Sequence, residues 1–415
     1  MDIDDFNSIF IGQDGTIIPD IILKKFSLKP GIDFKYRNKE IGKEIFDTVG
    51  LFIENGNLLI IFPKHYFSQD FLLSNYQGNL HINDIEILFD VISIYIFDKQ
   101  LSSDKFFGQL NNFDSDYPFS EFFFIYRHFK KYGLYKEEEV IIANTGRKVN
   151  WKKTLTLSNK IFSKGNLLFH PLLFNKSTSI NNFISNCMAF VINYTLRKFN
   201  FLIKYPILDY NFNFDFYNNR EYTLNELREY QRKNKKDIYN LLIINLILFF
   251  EKLDKSDSGD LNVKIKFFNL IWENMVHNYI NRNVKQITDK GIEIVENINK
   301  YNFTRQTFKI DASKNKYKIS PDYYLIDAEN QYILDAKYYS SINSLNYKQY
   351  TYHSSLKNQN TIKKTYSLLI APTNESNNIE THFILDKNFI GDNDQNIQII
   401  IQYLNIKDVM KNYIK

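Results

Sequence analysis

Residues 320 to 340, SPDYYLIDAENQYILDAKYYS, set charged side chains inside apolar strand sequence, and no other stretch constrains the fold as tightly. Tyr317 to Ile326 and Tyr332 to Tyr338 are rich in aromatic and β-branched residues and read as strands, joined by the turn-like tetrad Asp327-Ala328-Glu329-Asn330. Side chains in a strand alternate between faces. Asp335 and Lys337 therefore share a face with Ile333, while Tyr332, Leu334 and Ala336 point the other way. Asp322 opens the preceding strand, so an antiparallel hairpin brings it close to Asp335. The bland alternative is an exposed hairpin with ordinary surface charges. The apolar surroundings weigh against it, because unpaired charge is costly there.

Two neighbouring carboxylates repel each other unless a cation sits between them. Mg²⁺ accepts oxygen ligands and keeps several waters. A bound metal lowers the pKa of its water and neutralises charge on a phosphate, and a nearby lysine can orient that water. Two acids and a lysine at one spot thus suit phosphodiester hydrolysis.

The rest of the chain gives an α/β multidomain reading. Its 415 residues exceed one ordinary core. Residues 1–145 are expected to form a mixed α/β domain. In it, Thr48 to Ile53 and Leu58 to Phe62 are strands about the hairpin signal Asn55-Gly56, and Ile82 to Phe97 has helical spacing with an N-cap at Asn83-Asp84. Residues 146–258 read as a mostly helical connecting region, especially 160 to 255. The domain 259–415 has the α/β order helix, strand, strand, strand, helix, strand, strand, helix. Val263 to Asn281 is its first helix, with Phe268, Ile271, Trp272, Met275 and Tyr279 on one face.

The net charge of +5 permits nucleic-acid binding without arguing for it. A single cysteine, Cys187, rules out an internal disulfide framework and a cysteine-rich zinc site. The apolar run Leu241 to Phe250 is too short to cross a bilayer, which takes about 20 residues. The acidic opening MDIDDFNSIF lacks the features of a signal peptide, so a cytoplasmic location is expected. No GxxxxGK[ST] loop is present, so nucleotide hydrolysis must come from elsewhere.

Pro321-Asp322 followed by Asp335-Ala336-Lys337 resembles the PD-(D/E)xK nuclease signature. The helix from Phe268 to Val276 is similar to that superfamily's first core helix, with Glu273 as its acid, and Tyr347 to Tyr352 to the helix that often supplies a glutamine. Taken together, the motifs resemble the LlaJI-type restriction endonucleases and their McrC-like relatives. Residues 49–66 and 146–154 resemble segments of the LlaJI group, so the resemblance spans most of the chain in islands.

The resemblance implies a restriction-endonuclease-like core that cuts double-stranded DNA with Mg²⁺, or Mn²⁺ in its place. Asp322 and Asp335 would ligate the metal, with the Ala336 carbonyl as a further ligand. Lys337 would orient the water or stabilise the transition state, Glu273 would bind or tune a metal, and Gln349 would support the site or a phosphate. It also implies an McrB-type AAA+ GTPase partner and an associated DNA methyltransferase in the same system. Two alternatives remain: a non-cleaving DNA-binding or scaffold subunit, and another PD-(D/E)xK enzyme acting in repair or junction resolution.

Other candidates favour structural readings. His277 shares a helix face with Glu273, but an ordinary polar helix residue is the better reading. His65 and His170 read as structural. Arg147, Lys148, Lys152 and Lys153 surround Trp151 and suit phosphate contact, partner docking or a solvated loop.

Overall fold

A computed structural model describes residues 6–36, 42–75, 82–102, 113–143, 145, 148–181, 183–200, 203, 205–210, 214–233, 237–253, 260–313, 317–357, 362–390 and 396–415. The architecture is α/β, with mixed sheets and flanking helices. The chain divides into two compact units: residues 1–120, 199–204 and 253–415 form the first, and 121–198 and 205–252 the second. This differs from the three consecutive domains read from the sequence.

The first unit holds two five-stranded sheets. The N-terminal sheet has the order β1 (Ser8–Gln13), β3 (Asn57–Phe62), β2 (Val49–Glu54), β5 (Leu261–Ile265) and β4 (Phe113–Ser115). The β2–β3 hairpin turns at Asn55 and Gly56, both with positive φ (50° and 72°), as their small polar and glycine chemistry allows. β5 pairs antiparallel with both β2 and β4. The stretch from Val263 was expected to begin a helix, but residues 261–265 alternate buried and half-buried side chains and lie in a strand. The period-2 pattern of LNVKI outweighs the helical pattern that starts only at Phe268. The helix α1 (Ile82–Ser102) contains Asn83 and Asp84 instead of being capped by them. Asp84 accepts a hydrogen bond from the Tyr66 hydroxyl at 2.7 Å.

After β5 comes α2 (Phe268–Asn283), which buries Phe268, Ile271, Trp272, Met275 and Tyr279, the face read from sequence. The second sheet has the order β6 (Tyr323–Asp327), β7 (Asn330–Ala336), β8 (Lys364–Thr373), β10 (Gln398–Asn405) and β9 (Asn378–Ile384). Its three inner strands run parallel, and both outer pairs are antiparallel. Such inner strands are covered on both faces and read as apolar runs. Ala328, at φ 53°, makes the β6–β7 turn.

Helix α3 (Tyr347–Leu356) lies on one face, where Tyr352 and Leu356 pack with Ile333, Tyr324 and Ile319. The Asn346 side chain caps it by accepting from the Gln349 N–H at 2.9 Å. The terminal helix α4 (Ile406–Ile414) packs against α1 and α2.

The second unit contains most of the helix Phe119–Tyr132 and the helices Phe183–Lys198, Arg220–Lys233 and Asp237–Lys252. Cys187 is fully buried in the second of these helices. Asn245, which interrupts the apolar run, donates to the Leu241 carbonyl one turn back at 2.9 Å. The expectation of a mostly helical 160–255 fails at its start. Asn159–Ser163 and Asn166–His170 form an antiparallel hairpin, and Phe174–Asn181 pairs with Lys136–Ala143. Both strands of the first hairpin are almost wholly exposed, so no buried alternation marks them. The basic cluster falls partly outside the described residues, because Arg147 is not among them. No helix among the described residues is long and apolar enough to cross a membrane.

Candidate active site

The register Tyr323↔Leu334 sets Asp322 opposite Asp335 at the open end of the β6–β7 hairpin. Directly opposed side chains share a face. The Asp322 carboxylate accepts from the Ala336 N–H at 3.2 Å, which ties the start of one strand to the end of the other. The Lys337 N–H goes instead to the Ile370 carbonyl on β8, at 2.8 Å. Backbone polar groups alternate between strand edges. The Ala336 carbonyl therefore lies on the Asp322 edge, where it can serve the same ligand.

Asp335 is fully buried. One of its oxygens is paired with the Lys337 ammonium and the other accepts from Lys348 Nζ at 3.1 Å. Lys337 is itself almost completely buried, whereas the Lys348 side chain on α3 is half-exposed. Glu273, on α2, stands at the border of the group. Its carboxylate meets Arg305 Nη1 at 3.2 Å, and Arg305 Nη2 lies 3.8 Å from Asp322. The Tyr323 hydroxyl donates to the Glu273 carbonyl at 2.5 Å, which anchors the helix to β6.

Electrostatics follow from this crowding. Burial, then the Asp335 and Glu273 carboxylates, push Asp322 up from 3.8 to about 7. Burial acts to lower Lys348, but the Asp335 and Asp322 charges overcome it and hold the ammonium well above the ordinary lysine range.

Asp322, Lys337, Glu273 and the Ala336 backbone line a cleft of about 680 Å³, which Lys35, Lys64, Lys266 and Lys348 also border. Two turns of the N-terminal sheet complete its wall. The Lys64 N–H donates to the Tyr338 hydroxyl at 2.7 Å, and His65 Nε2 meets the Tyr339 carbonyl at 3.1 Å. These contacts hold the segment that follows Lys337.

Gln349 lies beneath the site, not on the cleft. Its side-chain amide donates to the Ile333 carbonyl and the Ser367 hydroxyl, both at 2.8 Å. It is fully buried, so in this arrangement it braces β7 against β8 and does not reach solvent or a phosphate. His277 Nε2 meets the Phe303 carbonyl at 2.9 Å and lies 3.1 Å from the Asn281 side-chain amide nitrogen, which can donate to it, a structural role.

Lys348 and Arg305 escaped the sequence reading. Lys348 looks like any lysine on a solvated helix face, and Arg305 sits in an irregular stretch with no pattern to mark it.

Among the described residues, no group of three or more His, Cys, Asp and Glu side chains encloses a metal position. The donor set still fits Mg²⁺, which takes only one or two carboxylates and fills its remaining positions with water and substrate oxygens. Asp322, Asp335 and the Ala336 carbonyl offer hard oxygen donors beside an open cleft.

No family model matches the chain, and neither does any curated protein. Among solved structures, the chain is similar to one in the complex of Thermococcus gammatolerans McrB AAA+ hexamers with bound McrC. The identity is 12% and the TM-score 0.34, over 90% of this chain and 82% of that one.

Proposed function

We propose that this chain is the DNA-cleaving subunit of a cytoplasmic restriction system of the LlaJI/McrC type. The observation that carries the reading is the meeting of Asp322, Asp335 and Lys337, of which Asp322 and Lys337 line a lysine-bordered cleft and Asp335 is buried beside them. Asp322, Asp335 and the Ala336 carbonyl would hold Mg²⁺, or Mn²⁺ in its place, with Glu273 tuning the site from α2. When bound, the metal supplies charge neutralisation for the phosphate and a water of lowered pKa.

The protein's own groups do the rest. Lys337 is fixed between its strand and Asp335, so its ammonium is pre-positioned to orient a water or to meet developing negative charge. Gln349 keeps β7 in place beneath it. Lys35, Lys64 and Lys266 border the path along which a phosphate backbone would lie.

A protein partner is supported by the hairpin 159–170. Ile161 pairs with Leu168 on one face of it and Phe162 with Leu167 on the other, and all four are exposed, Phe162 at 80%. Exposed apolar side chains on both faces of a hairpin suit contact with another chain. By the resemblance of the motifs, the partner is an McrB-type AAA+ GTPase.

The test is a cleavage assay on methylated and unmethylated duplex DNA with Mg²⁺ or EDTA, with and without the GTPase. Metal-dependent cutting that is lost in Lys337→Ala is expected. Cutting that persists in that variant would refute the site, and no cutting under any condition would favour the non-cleaving scaffold.

A further inference from the structure

Asp335 gives one oxygen to Lys337 and the other to Lys348, and the two lysines differ in freedom. Lys337 stands two residues along the same strand, is nearly buried, and has its N–H tied to Ile370. Lys348 projects from the first turn of α3, is half-exposed and borders the cleft. The Tyr352 ring, one turn further along, lies 5.4 Å from its ammonium. The Tyr352 hydroxyl is fixed by donation to the Ser320 carbonyl at 2.9 Å, two residues before Asp322. The Lys348 ammonium thus stands between a fixed aromatic ring, Asp335 and the open cleft.

Each oxygen of Asp335 meets an ammonium, and a divalent cation held there would be repelled by both. Lys348 is the half-exposed one of the two and has the cleft to move into. Resting on the metal-site reading above, we propose that Lys348 is an exchangeable countercharge. It neutralises Asp335 while the metal is absent, leaves when a divalent cation enters, and swings into the cleft to contact a DNA phosphate. Metal and DNA binding are then coupled through one side chain, and the coupling is reciprocal. DNA that draws Lys348 outward removes a positive charge from beside the metal position, and metal that expels Lys348 supplies a cation to the DNA. A mobile ammonium also keeps the two acids from being left unpaired between turnovers.

The experiment measures Ca²⁺ affinity of the full chain by calorimetry, with and without a short duplex, and duplex affinity by fluorescence anisotropy in Ca²⁺ or EDTA. It compares wild type with Lys348→Met, Arg305→Met and Asp335→Asn. Met keeps the stem over Tyr352 and removes only the charge. Lys348→Met should bind Ca²⁺ roughly fivefold more tightly, and duplex should no longer improve that affinity. Arg305→Met removes a cation near Asp322 that does not occupy Asp335, so it should keep the coupling between Ca²⁺ and duplex. Coupling that survives in Lys348→Met, or Ca²⁺ affinity that does not rise, overturns the exchange. Ca²⁺ binding that is indifferent to Asp335→Asn would instead overturn the metal-site reading.

Discussion

Replacing Asp322 by Asn removes one charge from the carboxylate group and keeps its shape, including an oxygen to accept from the Ala336 N–H. The carboxyl titrates near 3.8 when unfolded and near 7 in the folded protein. A difference of about three units at ~1.4 kcal/mol each sets a ceiling of ~4 kcal/mol. Screening by Arg305 and by water in the cleft reduces this to ~1–2 kcal/mol.

The sign is fixed by linkage. Below about pH 4 Asp322 is protonated in both states and contributes no penalty, whereas stability is lost as pH rises through 7 and the buried group must ionise. Asp322→Asn should therefore melt with wild type near pH 4 and a few degrees above it near pH 8, followed by circular dichroism in EDTA. Saturating Mg²⁺ near pH 8 should raise wild type and leave the variant unmoved. A variant that is no more stable than wild type near pH 8, or equally favoured at both pH values, would refute the electrostatic account.

Further expectations follow from the same site and from the second unit. Asp335→Ala and Lys337→Ala should lower DNA cleavage by ~10³-fold or more in a Mg²⁺ assay while leaving far-ultraviolet circular dichroism unchanged. Gln349→Ala leaves the Ile333 carbonyl and Ser367 hydroxyl without their donor, so it should cost ~1–3 kcal/mol in urea unfolding and lower the cleavage rate without weakening duplex affinity. Phe162→Asp, at an exposed tip, should leave the melting temperature within about a degree and abolish co-purification with the GTPase. Gly50→Ala would place a Cβ 2.0 Å from the Val263 carbonyl oxygen, so it should destabilise the N-terminal sheet by ~3 kcal/mol or more in urea unfolding.

The legible parts of this fold were those set by local chemistry. Asn55-Gly56 announced the β2–β3 hairpin because its turn needs positive φ, and the alternation through Ile333, Asp335 and Lys337 placed the acid and the lysine on one face. Positions fixed by distant pairing were harder to read. Leu261 to Ile265 carried a strand pattern, but a strong helical face immediately downstream drew the reading past it. The hairpin 159–170 buries neither face, so burial periodicity could not reveal it. Lys348 is indistinguishable in sequence from any solvated helix lysine until the register of β7 sets Asp335 beneath it. Gln349 was expected to support the site or a phosphate, and only its burial shows that it faces the sheet.

The position of β5 has a consequence for how the protein is made. Its two neighbours, β2 and β4, lie more than a hundred residues upstream, and among the described residues no other strand joins them. During synthesis the N-terminal sheet stays open until residue 265 has left the ribosome, so the second unit, complete at residue 252, can fold first. An expressed fragment that starts at 259 to isolate the C-terminal sheet would carry β5 as an orphan strand with both edges bare, an invitation to aggregate.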